Sequence, residues 1–312
     1  MYNYNHLYYF YIAAKFEGVM EASKHLRISQ PSLSSQLKLL EQSLGTKLFR
    51  RVGRRNTLTE AGLVVYGYSR QMFELAEELT ESLKKDVPSA SRRIRIGVSE
   101  EVDRSFVVEV VSLFLKKHGL AQRPKVTVVA GNEERLMDRL RFRELDAVVT
   151  EKAMIDPDLA NLEYAQVPVA LTCPGSWRVR NKTEQLKAGA AVKEIIGGED
   201  AQWVMPSTKF KLRAETDQFF EKNRLKGRIV MESDVVASLV RSVVDEIGLA
   251  FLPVLYTARE IREGALQVLG PRGGYWKYRV WLVCHQQNRG DALIRSVAHS
   301  FKEICQQAIS DR

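Results

Sequence analysis

The chain has 312 residues, 45% of them hydrophobic and 27% charged, with a formal net charge of +9; that is long enough for a sizeable core and more than one domain. No apolar run approaches the roughly 18–20 residues that span a bilayer, and Met1-Tyr2-Asn3-Tyr4-Asn5 lacks the basic-then-apolar order of a secretory leader. Cys173, Cys284 and Cys305 are scattered, without C-x-x-C spacing, which fits reduced thiols acting as small hydrophobes in a cytoplasmic protein.

The positive charge is uneven. Residues 1–62 hold nine Lys or Arg against four Glu, whereas residues 63–86 are net acidic. A polyanionic partner is therefore expected at the N-terminus. Asn5 to Phe16 and Met20 to Leu26 read as two short helices separated at Gly18. Ser29 is a good N-cap, Pro31 falls in the first turn after it, and Gly45 stops the helix it opens. Leu33, Leu37, Leu40 and Leu44 form one stripe of that helix, which turns Pro31, Ser32, Ser35 and Lys38 outward. Small hydroxyls at a helix N-terminus let a backbone approach DNA closely, as in a recognition helix lying in a major groove. By itself, the same face would equally serve as a solvated surface.

Leu48 to Thr59 reads as two short strands around a basic turn, with Arg50, Arg51, Arg54 and Arg55 between apolar anchors. Such a wing grips phosphates or enters a minor groove. Thr59 is placed to cap the long amphipathic helix that follows, over Leu63 to Lys85. Leu63, Tyr66, Met72, Phe73, Ala76, Leu79 and Leu83 lie near helical spacing there, and Glu74, Glu77, Glu78 and Glu81 lie opposite. This stripe needs a partner, and a twin helix in a two-fold dimer supplies one. Pro88-Ser89-Ala90-Ser91 suits a hinge. From Ile94 onward strands alternate with helices, which predicts a doubly wound parallel sheet, and a second such unit starts at Trp203.

Ser29-Gln30-Pro31-Ser32-Leu33-Ser34-Ser35-Gln36-Leu37, Leu40-Glu41, Leu44-Gly45, Leu48-Phe49-Arg50-Arg51 and Leu58-Thr59-Glu60-Ala61-Gly62 resemble the DNA-binding signature of LysR-type transcription regulators. Ile94-Arg95-Ile96-Gly97, Leu145-Asp146-Ala147-Val148-Val149 and Gly248-Leu249-Ala250-Phe251-Leu252-Pro253 resemble that family's effector domain. Asn3-Tyr4-Asn5-His6-Leu7-Tyr8-Tyr9-Phe10 and the Lys47-Leu48-Phe49 region are similar to its sodium/proton antiporter regulators. The resemblance implies a winged helix-turn-helix over 1–62, a dimerising linker helix over 63–86 and a hinge at 87–91. It also implies an effector-binding domain over 92–312, made of two α/β subdomains resembling a periplasmic binding protein (92–165 with 271–312, and 166–270). It assigns DNA contacts to Gln30, Pro31, Ser34, the residue at 35, Arg51 and Arg54. Position 35, often arginine in the family, is Ser35 here, and Lys38 and Arg55 are placed to compensate.

Ligands of such sheets collect at the carboxyl ends of strands. Here those ends carry Ser99-Glu100-Glu101, Gly131-Asn132-Glu133, Thr150-Glu151 and Pro206-Ser207-Thr208. Ser99, Glu100, Glu101, Asn132, Glu151 and Ser207 are accordingly the candidate effector contacts. Several carboxylates repel an anion and suit a cation, Na+ in antiporter control or an amine. The same glutamates would also serve as dipole partners at helix N-termini, facing water. No nucleotide-binding, nucleophile-elbow or metal-ligand motif occurs, and His6, His25, His118, His285 and His299 show no paired spacing. The expectation is a regulator without enzyme activity or cofactor. Its partners would be double-stranded DNA, a second copy or a tetramer of itself, a small effector and RNA polymerase, with no membrane, in the nucleoid-bearing cytoplasm.

Overall fold

The computed structural model describes residues 3–16, 18–52, 55–82, 93–120, 123–177 and 201–310. Two compact units result. One runs from the N-terminus to Arg93 with the short segments Leu120–Lys125 and Arg141–Glu144, and the other comprises the rest.

In the first unit, α1 (Tyr4–Lys15), α2 (Val19–Leu26) and α3 (Gln30–Leu44) are followed by the hairpin β1 (Phe49–Val52) and β2 (Arg55–Leu58), then by α4 (Glu60–Ser82). Local chemistry sets each boundary. Asn3 caps α1 by accepting from the Asn5 amide, and Ser29 caps α3 by accepting from the Ser32 amide. Gly45 ends α3 at φ 68°, where a residue without Cβ is unstrained. Phe49 pairs with Leu58 at the open end of the antiparallel hairpin. Phe10, Leu33, Leu37, Leu40 and Leu48 form the buried core. Burying one such side chain contributes roughly 1.5–3 kcal/mol.

The long helix presents two apolar faces rather than the single stripe expected from spacing. Tyr66 and Phe73 point inward, with Tyr66 stacked on Tyr11 at 5.9 Å and Phe73 packed on it at 5.5 Å. Val64, Tyr68, Met72, Leu75 and Leu79 stay exposed. Tyr66 and Phe73 therefore do have a partner in the small domain, Tyr68 lies under the Arg143 guanidinium at 4.7 Å, and Val64, Met72, Leu75 and Leu79 are the exposed side chains of the other face. Leu83 to Asp86 and the hinge residues 87–91 lie outside the described residues.

The second unit is built on a mixed sheet, not the purely parallel one that the strand–helix alternation predicts. Its strands are β3 (Arg93–Ser99), β4 (Lys125–Gly131), β5 (Ala147–Thr150), β6 (Leu159–Pro174), β9 (Ala250–Pro253), β10 (Leu266–Leu269) and β11 (Trp276–His285). The order is β10-β6-β11-β5-β3-β4, with β9 also on β6. β3 and β5 are parallel, but β11 is antiparallel to both β5 and β6. The chain returns from its far end to fill the middle of the sheet, which reverses that strand's direction.

Alternation along β3 divides the two sheet faces. Ile94, Ile96 and Val98 meet the core formed with α5 (Arg104–Lys116) and α10 (Ala292–Ser310), where Phe106 and Phe301 pack edge to face at 5.6 Å. On the other face, Leu136, Met137 and Leu140 of α6 (Glu133–Arg141) cover Val148 and Val283. β7 (Gln202–Pro206) and β8 (Arg228–Ser233) form a separate parallel pair with α7 (Lys211–Asn223) and α8 (Val236–Val244). Their core is aromatic, with Trp203 stacked on Phe251 at 5.7 Å. The short α9 (Ala258–Arg262) lies between β9 and β10 in the chain.

Candidate DNA-binding surface and effector cleft

At the start of α3, Gln30, Pro31, Ser32, Ser35 and Lys38 are exposed, and Ser34 is half-buried beside the leucine stripe. They form one surface whose backbone amides begin at the helix's positive end. Arg51 is exposed on β1. Arg55 is placed in β2 by its pairing with Val52, and Arg54 lies outside the described residues. Thr59 caps α4 by accepting from the Gly62 amide at 2.9 Å, and its own hydroxyl donates to the Lys47 carbonyl at 2.6 Å.

The candidate effector residues do not converge as one group. Glu100 pairs with Lys209 at 3.8 Å, and Lys209 also pairs with Asp234 at 3.2 Å, beside a cavity of about 320 Å³ between the Glu100–Arg104 loop and the start of α8. Glu133 accepts from the Thr150 hydroxyl at 3.1 Å and pairs with Lys152 at 3.4 Å. Asn132 caps α6 by accepting from the Glu134 amide. Ser207 holds its backbone on β8 through its amide and the Ser233 carbonyl. Among these glutamates, Glu101 and Glu151 are a pair that repel each other.

That pair is unusual. Glu151 is buried and accepts from the Tyr278 hydroxyl at 2.6 Å. Burial is the main cause that raises its carboxyl above the usual range; the Tyr278 bond opposes this, Glu101 adds repulsion, and Lys211 and Lys152 counter it. Glu101 Oε2 and Ser99 Oγ are buried and make no hydrogen bond. Buried acceptors left unmet cost about 1–3 kcal/mol each, so the position calls for a donor. Among the described residues no three His, Cys, Asp or Glu side chains are arranged to hold a metal ion.

Sequence reasoning missed Lys209 and Lys211, although both directly follow the Pro206-Ser207-Thr208 strand end that it did identify. It had no signal for Tyr278, whose strand was not anticipated.

A recognition helix with a hairpin wing, followed by a sensor-type mixed α/β unit, matches two family models. "Bacterial regulatory helix-turn-helix protein, lysR family" covers residues 4–63, and "LysR substrate binding domain" covers residues 89–306. The chain belongs to the LysR family. As a LysR regulator it is a DNA-binding transcription regulator with an effector-binding domain, and not an enzyme. It is 32% identical over 296 residues to the RuBisCO operon transcriptional regulator of Allochromatium vinosum, across 95% of this chain and 92% of that one. It is 28% identical over 149 residues to the transcriptional activator protein NhaR of Escherichia coli, 48% of each chain. The full-length LysR-type regulator LysG of Corynebacterium glutamicum, solved with bound effector Arg, has the same fold. Its TM-score is 0.60 at 15% identity, over 99% of both chains. No described helix of this LysR regulator is long and apolar enough to cross a membrane.

Proposed function

We infer that this LysR regulator answers to a small organic cation held at the strand ends of its effector domain. The unpartnered Glu101 Oε2 beside buried Glu151 carries the reading. An ammonium or guanidinium group brings several N–H donors and a positive charge, which meets both needs of the pair. A bare ion such as Na+ requires a shell of oxygen ligands, and Glu100 and Glu133 are paired with lysines instead. The bound Arg named for LysG supports a cationic ligand in this fold. Residues 1–62 bind DNA through Gln30, Pro31, Ser32, Ser34, Ser35, Lys38, Arg51, Arg54 and Arg55. Residues 63–86 pair two copies, and 87–91 transmit closure of the 92–312 domain to the DNA-binding domains.

The test is thermal stability of the full chain in arginine, putrescine, NaCl and choline chloride at equal ionic strength. Ligand bound to the folded state alone adds about 2.7 kcal/mol at a hundredfold excess over Kd. An amine is expected to raise the melting temperature, and Glu101→Gln with Glu151→Gln to remove the rise. A shift in NaCl alone supports the bare ion. A shift that survives the double substitution moves the site elsewhere, and no shift with any cation ends the cationic reading.

A further inference from the structure

Glu41 stands in the last turn of α3, where a helix's negative end disfavours a carboxylate and no basic residue of that turn offsets it. Its contacts explain the placement. One oxygen accepts from the Leu48 amide at 2.9 Å and the Phe49 amide at 3.3 Å, and the other meets Lys47 Nζ at 2.7 Å. The side chain is 11% exposed. Burial acts to push the carboxyl up, but the bonds from Lys47, Leu48 and Phe49 and the Lys47 charge outweigh it, so Glu41 is held below the usual range and stays ionised.

The same short segment is gripped from its other side. Thr59 donates its hydroxyl to the Lys47 carbonyl at 2.6 Å and its amide to the Leu48 carbonyl at 2.9 Å. A Cβ at position 62 would collide with that Leu48 carbonyl, so Gly62 is what allows α4 so near. Lys47 to Phe49, the root of the wing, is therefore fastened to α3 by Glu41 and to α4 by Thr59.

We propose that Glu41 is a positioning residue for DNA binding, whose carboxylate locks the wing's root to the recognition helix so that both reach DNA as one rigid body. The two elements have separate contacts on DNA, helix to bases and wing to phosphates. A fixed relation between them lets both engage at once, which raises the affinity for a matched operator without adding a contact. Non-specific binding, being electrostatic, does not require that relation.

The experiment uses the full-length protein and an operator selected from random duplexes. Glu41→Gln keeps the shape and loses the charge. It is expected to leave the circular dichroism unchanged and to speed hydrogen exchange at the Leu48 and Phe49 amides while the Leu33 and Leu37 amides hold. Operator affinity should fall about tenfold, the effect of one weakened charge-assisted bond network, with non-specific affinity and salt slope retained. Lys47→Met, which weakens the carboxylate only through its ion partner, gives the same pattern at lower amplitude if Glu41→Gln does not fold. Operator affinity within twofold of the parent overturns the proposal, as does an equal fall in specific and non-specific binding.

Discussion

Tyr278 donates its hydroxyl to Glu151 Oε2 at 2.6 Å with both residues buried, which joins the last long strand of the sheet to the end of β5. Removing the donor leaves a buried carboxylate short of a partner. Tyr278→Phe is expected to cost about 1.5–3 kcal/mol of stability, the range for hydrogen bonds to charged groups. Chemical denaturation at neutral pH checks it; an unchanged midpoint means that water replaces the hydroxyl.

The pH dependence of the same group has a fixed sign. Burial raises the folded carboxyl of Glu151 above its ordinary 4.5, so the folded state holds the proton more tightly than the unfolded chain. The penalty of the ionised form is absent below 4.5, grows as pH rises towards the folded value and is complete above it. Glu151→Gln removes that penalty. Its stability relative to the parent should climb over that window and then level off. A difference constant across the window would show that Glu151 titrates normally.

On α4, Met72 and Leu79 are 45% and 61% exposed on the outer apolar face. Met72→Asp with Leu79→Asp would put charge into the seam proposed between two copies, where unpaired charge is strongly destabilising. The variant should be monomeric by light scattering at concentrations where the parent is dimeric. A dimer that persists places the contact on the effector domain.

For DNA, Arg54→Ala with Arg55→Ala should weaken all sequences alike and flatten the salt slope by about one unit for each phosphate no longer neutralised. Gln30→Ala or Ser34→Ala should instead erode discrimination, by about 1–3 kcal/mol at the affected base pair. Titrations at several salt concentrations separate the two, and an unchanged slope in the arginine variant removes the wing from the interface.

The three thiols are buried, and burial pushes them up, Cys173 to about 12, Cys284 to about 11 and Cys305 to about 12. Reactivity follows the thiolate. Ellman's reagent should label none of them in the native protein and all three after unfolding, and hydrogen peroxide should leave operator binding unchanged. Fast native labelling of any one would contradict the burial.

The DNA-binding half was legible because its signals are local. Ser29, Pro31 and Gly45 mark the ends of α3 within the span they bound, and the stripe Leu33, Leu37, Leu40 fixes which side faces out. The sensor half was legible as strands and helices in chain order, but not as pairings. β6 and β11 lie more than a hundred residues apart along the chain, yet Trp276 pairs with Val169, and nothing near either residue announces that partner. The ion partners of the candidate effector residues were hidden for the same reason. Glu100 and Glu133 read as free acids until folding brought up Lys209 and left Lys152 beside Glu133. On α4 the 3.6-residue period identified apolar positions, but separating Tyr66 from Met72 required knowing where Tyr11 sits.

β11 is seated between β6 and β5 although it follows both by more than a hundred residues. During synthesis at about 5–20 residues per second, on the order of ten seconds pass between the emergence of β5 and of β11. Over that interval β5 presents an open hydrogen-bonding edge, the feature by which strands recruit the wrong neighbours. Cys284 and Val283 close that edge when they pair with Ala147 and Val148. The lobe that is translated first thus completes its sheet only once β11 has emerged, and a chain truncated before Trp276 would carry a permanent strand vacancy prone to aggregation.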